Sequence, residues 1–469
     1  MSDARMIMEV GEGTEEDRKY EGAVNAVLHM NKKDYPAYVG GLAVASGHDF
    51  PVWSPIDETI IFGTFQEPED GLTDRAVEVA KETFRTWSKT SVEERVEIFD
   101  KALESIVLQK YKLAGLVTVC SGMTRDEAFD EVERLIEVID QACQDMIDGA
   151  KGKPEGVWAV LTEYNSPLAA PMGYCAAAIL AGNTVVVMPS KYAPVPVFYI
   201  YDILVNAGLP DGVLNVIVDR FDASTASLAN NLDAIGVVAA GSGDRLEDLI
   251  FLQTDEELRF INELKGMNPV FVYKPGSMKD AAKKIVRSAF TCAGQRVDAC
   301  SKVIVTEDEQ KALVSAILEE VKSVKVGDPA EIDTVMGPIM TKSQFELFEQ
   351  IVKKFGDYLI YGGKRIVNEI TEGGYYVTPA VFMGVPEDSD LCSIDNALPI
   401  LVITTVAEGN DAIDEINYTE YGLSAGIITK DEEMADRFIR EVNADEVFVN
   451  DPSVIIGPAC KAKVRNFLA

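Results

Sequence analysis

The sequence predicts an α/β protein of two lobes, each built on a doubly wound, largely parallel sheet. Three observations carry that prediction. The chain has 469 residues, more than one hydrophobic core holds. Short, continuous apolar runs recur along it, as expected of strands buried on both faces. Helix-like stretches separate those runs.

Residues 1–36 are charged and helix-leaning and read as an N-terminal extension. A hairpin-like segment begins around Tyr38-Val39-Gly40-Gly41 and runs to Phe65. Two long amphipathic helices follow. The first covers residues 74–90, and the second starts at Ser91-Val92-Glu93-Glu94, a capping-box pattern. A third helix is expected over residues 125–149. From Val157 the pattern becomes strand and helix in alternation. Runs at 157–161, 184–188, 213–218 and 235–239 read as strands. Helices over 170–181 and 195–207 lie between them, the latter ending on Gly208. A second series of strands follows at 270–273, 302–305, 400–404 and 425–429. These spans divide the chain into a cofactor-type lobe over residues 37–262 and a second lobe over 263–445. Residues 446–469 are expected to return to the first lobe or to an interface.

The formal net charge is −34. Such a surface repels phosphate backbones and anionic membranes, so nucleic-acid and membrane partners are excluded. No apolar run reaches membrane-spanning length, and the N-terminus has no apolar signal core. The seven cysteines, Cys120, Cys143, Cys175, Cys292, Cys300, Cys392 and Cys460, are scattered and form no CxxC pair. That usage fits a reducing, cytoplasmic setting. The only histidines are His29 and His48, which argues against a Ser-His-Asp site and against a histidine metal site; no metal is expected.

Several motifs in order identify a family. They are Gly182-Asn183-Thr184-Val185-Val186 with Pro189-Ser190, Ala207-Gly208-Leu209-Pro210-Asp211-Gly212, Gly241-Ser242, and Glu263-Leu264-Lys265-Gly266-Met267-Asn268-Pro269. Phe290 with Ala293-Gly294-Gln295, Gly337-Pro338, Asn417-Tyr418-Thr419-Glu420-Tyr421-Gly422-Leu423 and Val447-Phe448-Val449-Asn450 complete the series. Together they resemble the aldehyde dehydrogenase superfamily across residues 38–455. The resemblance implies NAD(P)-dependent oxidation of an aldehyde to a carboxylic acid. A cysteine thiolate attacks the aldehyde, an asparagine and a backbone amide stabilise the oxyanion, and a glutamate activates water.

On that resemblance Asn165 is the oxyanion asparagine and Glu263 the general base. The nucleophile position in Gly294-Gln295-Arg296-Val297 holds Val297, which has no nucleophilic atom. Cys300 is the substitute nearest the pattern, and Cys292 also lies close in sequence. The implied cofactor contacts are Tyr164, Met188, Ser190, Lys191, Gly241, Ser242, Leu264, Asp395 and Ala397. Met188 stands where the family has a ribose-binding lysine. Lys191 replaces a glutamate, a change that favours the 2′-phosphate of NADP over NAD. Leu246 replaces the last glycine of the phosphate turn, and Asp395 with Ala397 replaces a glutamate–phenylalanine pair. Together these changes imply weak or absent binding of NADP or NAD.

Only residues 150–156 occupy the place of the family's oligomerisation hairpin, and the C-terminal motif is also eroded. A homodimer or monomer is expected in place of the usual tetramer. Three readings stay open: a working aldehyde dehydrogenase acting on a small aldehyde, a silenced relative with a binding, regulatory or scaffold role, and a different carbonyl reaction on the same fold.

Overall fold

The computed structural model describes residues 12–30, 32–220, 223–241, 258–264, 266–386, 388–393, 395–418, 422–450 and 462–469. Ser242, Leu246, Lys265, Thr419, Glu420, Tyr421 and Cys460 lie outside the described residues.

The chain opens with helix α1 (Glu15–Leu28), capped by the Thr14 side chain, which accepts from the Asp17 N–H at 3.1 Å. Tyr20, Val24 and Val27 of α1 are buried in the first core, so the helix is an integral part of that lobe. Asp17 forms a buried ion pair with Arg125, whose guanidinium lies 4.6 Å from the centre of the Tyr20 ring. Strands β1 (Lys33–Tyr35), β2 (Ala37–Val39), β3 (Leu42–Val44), β4 (Asp49–Trp53) and β5 (Ile61–Gln66) follow. Helices α2 (Leu72–Trp87), α3 (Val92–Leu108), α4 (Lys110–Ser121) and α5 (Arg125–Ile147) come next. Ser91 caps α3 with the reciprocal bonds that its spacing from Glu94 predicts.

Strands β6 (Val157–Thr162), β7 (Thr184–Met188), β8 (Leu214–Val216), β9 (Ala234–Gly241) and β10 (Arg259–Leu264) alternate with α6 (Ala169–Leu180), α7 (Val195–Ala207) and α8 (Ala223–Ala229). Every residue of β6 and β7 is buried. Successive side chains alternate between faces, so Trp158 and Val160 enter the core under α6 and α7. Val157, Ala159 and Leu161 enter a second core under α2 and α8. The run at 213–218 forms a strand only over 214–216. Beyond it the Ile217 N–H still donates to the Val187 carbonyl at 3.1 Å, and Ile217 and Val218 are buried.

The strand order of this sheet is β10-β9-β6-β7-β8-β2-β3, parallel except for the β2–β3 edge. A separate three-stranded sheet has the order β1-β5-β4. The second lobe carries β11 (Val270–Tyr273), β12 (Lys302–Thr306), β13 (Leu359–Tyr361), β14 (Ala380–Met383), β15 (Ile400–Val406), β16 (Ser424–Thr429) and β17 (Glu446–Val449). Its order is β13-β14-β15-β12-β11-β16-β17, with antiparallel β13 at the edge. The sheet is thus largely parallel, as the sequence predicts, with one antiparallel strand at its edge.

Residues 149–156 form no strand. A short 3-10 turn, Val464–Phe467, instead covers that side of the first lobe. The Phe467 ring meets Trp158 edge-on at 4.7 Å, and the Asn183 side-chain amide donates to the Phe467 carbonyl at 2.7 Å. Among the described residues, no helix is long and apolar enough to cross a membrane.

Candidate active site

Three short segments meet between the lobes. The first is the turn that leaves β6 at Glu163-Tyr164-Asn165. The second is the end of β10, which carries Glu263. The third is the turn that follows the helix Met278–Phe290 and carries Val297. Asn165, Glu263 and Val297 line one cleft together with Ser166, Gly241 and Arg296. They are 6%, 2% and 5% exposed. The cleft volume is about 10 Å³, room for roughly one water molecule.

Glu263 is held from below by α6, where the Tyr174 hydroxyl donates to its Oε2 at 2.6 Å. Asn165 is held indirectly, through Glu131 on α5. The Glu131 carboxylate accepts from Ser166 Oγ at 2.8 Å and from the Leu168 and Ala169 N–H groups at 3.2 and 3.0 Å. Those two amides open α6 and have no partner within it. Burial pushes the Glu131 carboxyl upward, and the hydrogen bonds from Ala169, Ser166 and Leu168 oppose the shift.

One turn earlier on α5, Glu127 does the same for the turn that leads to Val297. It accepts from the Cys292 N–H at 2.6 Å, and burial raises its carboxyl too. Cys292 and Ala293 adopt the left-handed conformation, with φ of 51° and 55°. Gln295 ties the turn to Met340, and the Asn268 side-chain amide donates to the Val297 carbonyl at 2.7 Å. Arg296 makes a two-pronged pair with Asp298 at 2.8 and 2.9 Å. Burial disfavours the guanidinium charge, but the Asp298 carboxylate outweighs that and its pKa rises.

Neither nearby cysteine lies in the cleft. Cys300 is 1% exposed within the core of the second lobe, and its Sγ donates to the Lys302 carbonyl at 3.3 Å. Burial pushes it up to about 12. Cys292 is enclosed in the first core and is raised well above the usual thiol range by burial.

The remaining sequence-derived positions spread along the carboxyl ends of the first sheet and across to the second lobe. Tyr164 packs edge-on against Tyr192 at 5.8 Å. Met188 is fully buried, and Ser190 Oγ donates to Glu163 Oε2 at 3.4 Å. Lys191 Nζ donates to the Arg220 carbonyl at 2.9 Å. Gly241 and Leu264 are register partners that end β9 and β10. Asp395 accepts from the Ala397 N–H at 2.9 Å, with Ala397 at φ 50°. Glu127, Glu131, Tyr174 and Asn268 are the site residues that sequence reasoning missed. A pair of carboxylates four apart after the Thr124–Glu127 capping box was the one available signal.

The profile of the Aldehyde dehydrogenase family matches residues 43–459. The chain belongs to the aldehyde dehydrogenase family. Among family relatives, it is 31% identical over 435 residues to an α-ketoglutarate semialdehyde dehydrogenase of Haloferax volcanii, covering 88% of this chain and 90% of that protein. It is 28% identical to a 1-pyrroline-5-carboxylate dehydrogenase of Geobacillus sp. strain WCH70, covering 93% and 88%. In fold it matches a single-residue variant of the Thermus thermophilus 1-pyrroline-5-carboxylate dehydrogenase with a TM-score of 0.88 at 23% identity, covering 98% of this chain and 96% of the other. A Staphylococcus aureus betaine aldehyde dehydrogenase in complex with NAD⁺ aligns with a TM-score of 0.86 at 20% identity, covering 92% and 90%.

Proposed function

We propose that this chain is an aldehyde dehydrogenase relative in which covalent aldehyde oxidation is silenced, and that its cleft serves binding and not turnover. The observation that carries the reading is Val297 in the cleft beside Asn165 and Glu263. Formation of a thiohemiacetal needs a lone pair on the attacking atom. The valine side chain offers only C–H groups, and Cys292 and Cys300 are enclosed in the two cores.

A second reading, a working NAD(P)-dependent oxidoreductase acting on a small aldehyde, is favoured by the retained polar groups. Asn165 can polarise a carbonyl oxygen, and Glu263 with its Tyr174 partner can accept a proton.

The two readings separate in one experiment. The native protein is assayed for reduction of NAD⁺ and NADP⁺ with a panel of short aldehydes and semialdehydes. In parallel, native protein and Val297→Cys are mixed with p-nitrophenyl acetate, an activated ester that acylates a thiolate without any cofactor. No reduction by the native chain and a nitrophenolate burst only in Val297→Cys are expected. Steady aldehyde oxidation by the native protein would overturn the silenced reading and establish the second. Absence of a burst in a folded Val297→Cys would show that residue 297 does not face the cleft as described.

A further inference from the structure

The amino-terminal helix α1 contributes no residue to the cleft, yet its contacts lead there. Its seat on α4 is made by a missing side chain. Gly115 lies in the interior of α4, where glycine weakens a helix. A Cβ there would lie 3.0 Å from the Val24 nitrogen and 3.1 Å from the Ala23 carbonyl carbon of α1. The glycine thus lets the α1 backbone approach α4, and Tyr20, Val24 and Val27 are buried in the core beside it.

At its first turn α1 reaches α5 by charge. The Asp17 carboxylate accepts from the Gly13 N–H at 2.7 Å and pairs with Arg125. Both residues are buried, so removing either charge leaves the other enclosed and uncompensated. The Tyr20 ring lies against the guanidinium, and its hydroxyl shares a hydrogen bond with Thr118 Oγ1 of α4 at 2.6 Å. Arg125 also joins the lobes. Its Nη2 donates to the Ala330 carbonyl at 2.9 Å, and its N–H to the Pro329 carbonyl at 3.0 Å, both in the second lobe. In the turn before α5, a Cβ on Gly122 would lie 2.8 Å from Pro338 Cγ, so the two lobes meet there with no side chain between them.

Glu127 completes the path. One of its carboxylate oxygens accepts from the Thr124 N–H at 2.7 Å, at the start of α5. The other accepts from the Cys292 N–H at 2.6 Å, on the turn that leads to Val297. Cys292 and Ala293 hold left-handed backbone, which is unfavourable for residues other than glycine and persists where the surroundings fix it.

We infer that α1 is a strap. Docked through Asp17 and the Gly115 seat, it holds the amino end of α5 against both lobes, and through Glu127 it fixes the turn that carries residue 297. Displacing α1 from α4 would reshape the cleft from outside it. The inference does not depend on the chemistry of residue 297.

Hydrogen exchange read by mass spectrometry tests this on the full native chain in sub-denaturing urea. Peptides over 15–28, 290–298 and 326–338 are expected to lose protection together, ahead of those over the buried strands at 184–188 and 400–404. Two variants should move that step. Asp17→Asn removes the charge that pairs with Arg125, and Gly115→Leu puts a strong helix former into α4 while filling the α1 seat. Each is expected to speed exchange over 290–298 by roughly tenfold, the scale of one lost charge-assisted hydrogen bond, while the strand peptides keep their native rates. Protection over 290–298 that outlasts the opening of α1 in the native chain would overturn the inference, and that result needs neither variant to fold. Exchange that is unchanged, or equally faster in every peptide, in the variants that fold would overturn it as well.

Discussion

Replacing Glu131 by alanine tests how the candidate site is held together. The carboxylate has three partners around the start of α6: the Ser166 hydroxyl and the Leu168 and Ala169 amides. Leu168 and Ala169 are fully buried, so neither amide can turn to water when the acceptor goes. Each buried amide left without a partner costs about 1–3 kcal/mol, giving about 2–6 kcal/mol for the two. Part of this is offset, because burial itself disfavours the Glu131 charge and alanine removes that penalty. The expected net loss at pH 7 is about 2–4 kcal/mol, read as a lower urea midpoint with an unchanged slope.

The pH dependence follows from the raised native pKa. The unfolded chain gives up this proton from about pH 4.5, while the native state keeps it to higher pH. The contribution of Glu131 is therefore largest below that value and is lost as pH rises through the native pKa. The deficit of Glu131→Ala should accordingly be larger at pH 5 than at pH 8. A loss below about 1 kcal/mol that is equal at both pH values would refute the assignment of Glu131 as the acceptor for α6.

Two further outcomes are expected. Phe467→Ala removes a fully buried ring seated on Trp158, and should lower stability by about 3–5 kcal/mol in urea titration while exposing residues 462–469 to carboxypeptidase; an unchanged midpoint would show that the segment does not dock in solution. With no strand over residues 149–156, light scattering should report a homodimer or monomer, and a tetramer would overturn that assembly.

The sheets were legible because burial on both faces writes itself into consecutive residues. Thr184–Met188 reads as a strand and is one, residue for residue. Asn165, Glu263 and Val297, which the sequence assigns through the family resemblance, are brought together in one cleft. What holds them was not legible. Glu131 meets Ser166 across 35 residues, and Glu127 meets Cys292 across 165. A carboxylate on a helix reads as a solvated face until its partner is known.

The seat of Phe467 on Trp158 has a consequence for how the chain is made. Asn183 and Phe467 are 284 residues apart. During synthesis the amino-terminal lobe emerges first, and its strands can pair while the segment that covers Trp158 has yet to be translated. That lobe must wait, with an apolar surface open, until the whole second lobe has left the ribosome. Closure is then the last event and depends on both lobes at once. Long-range contacts of this kind slow folding, and they leave the nascent chain open to aggregation until that segment docks.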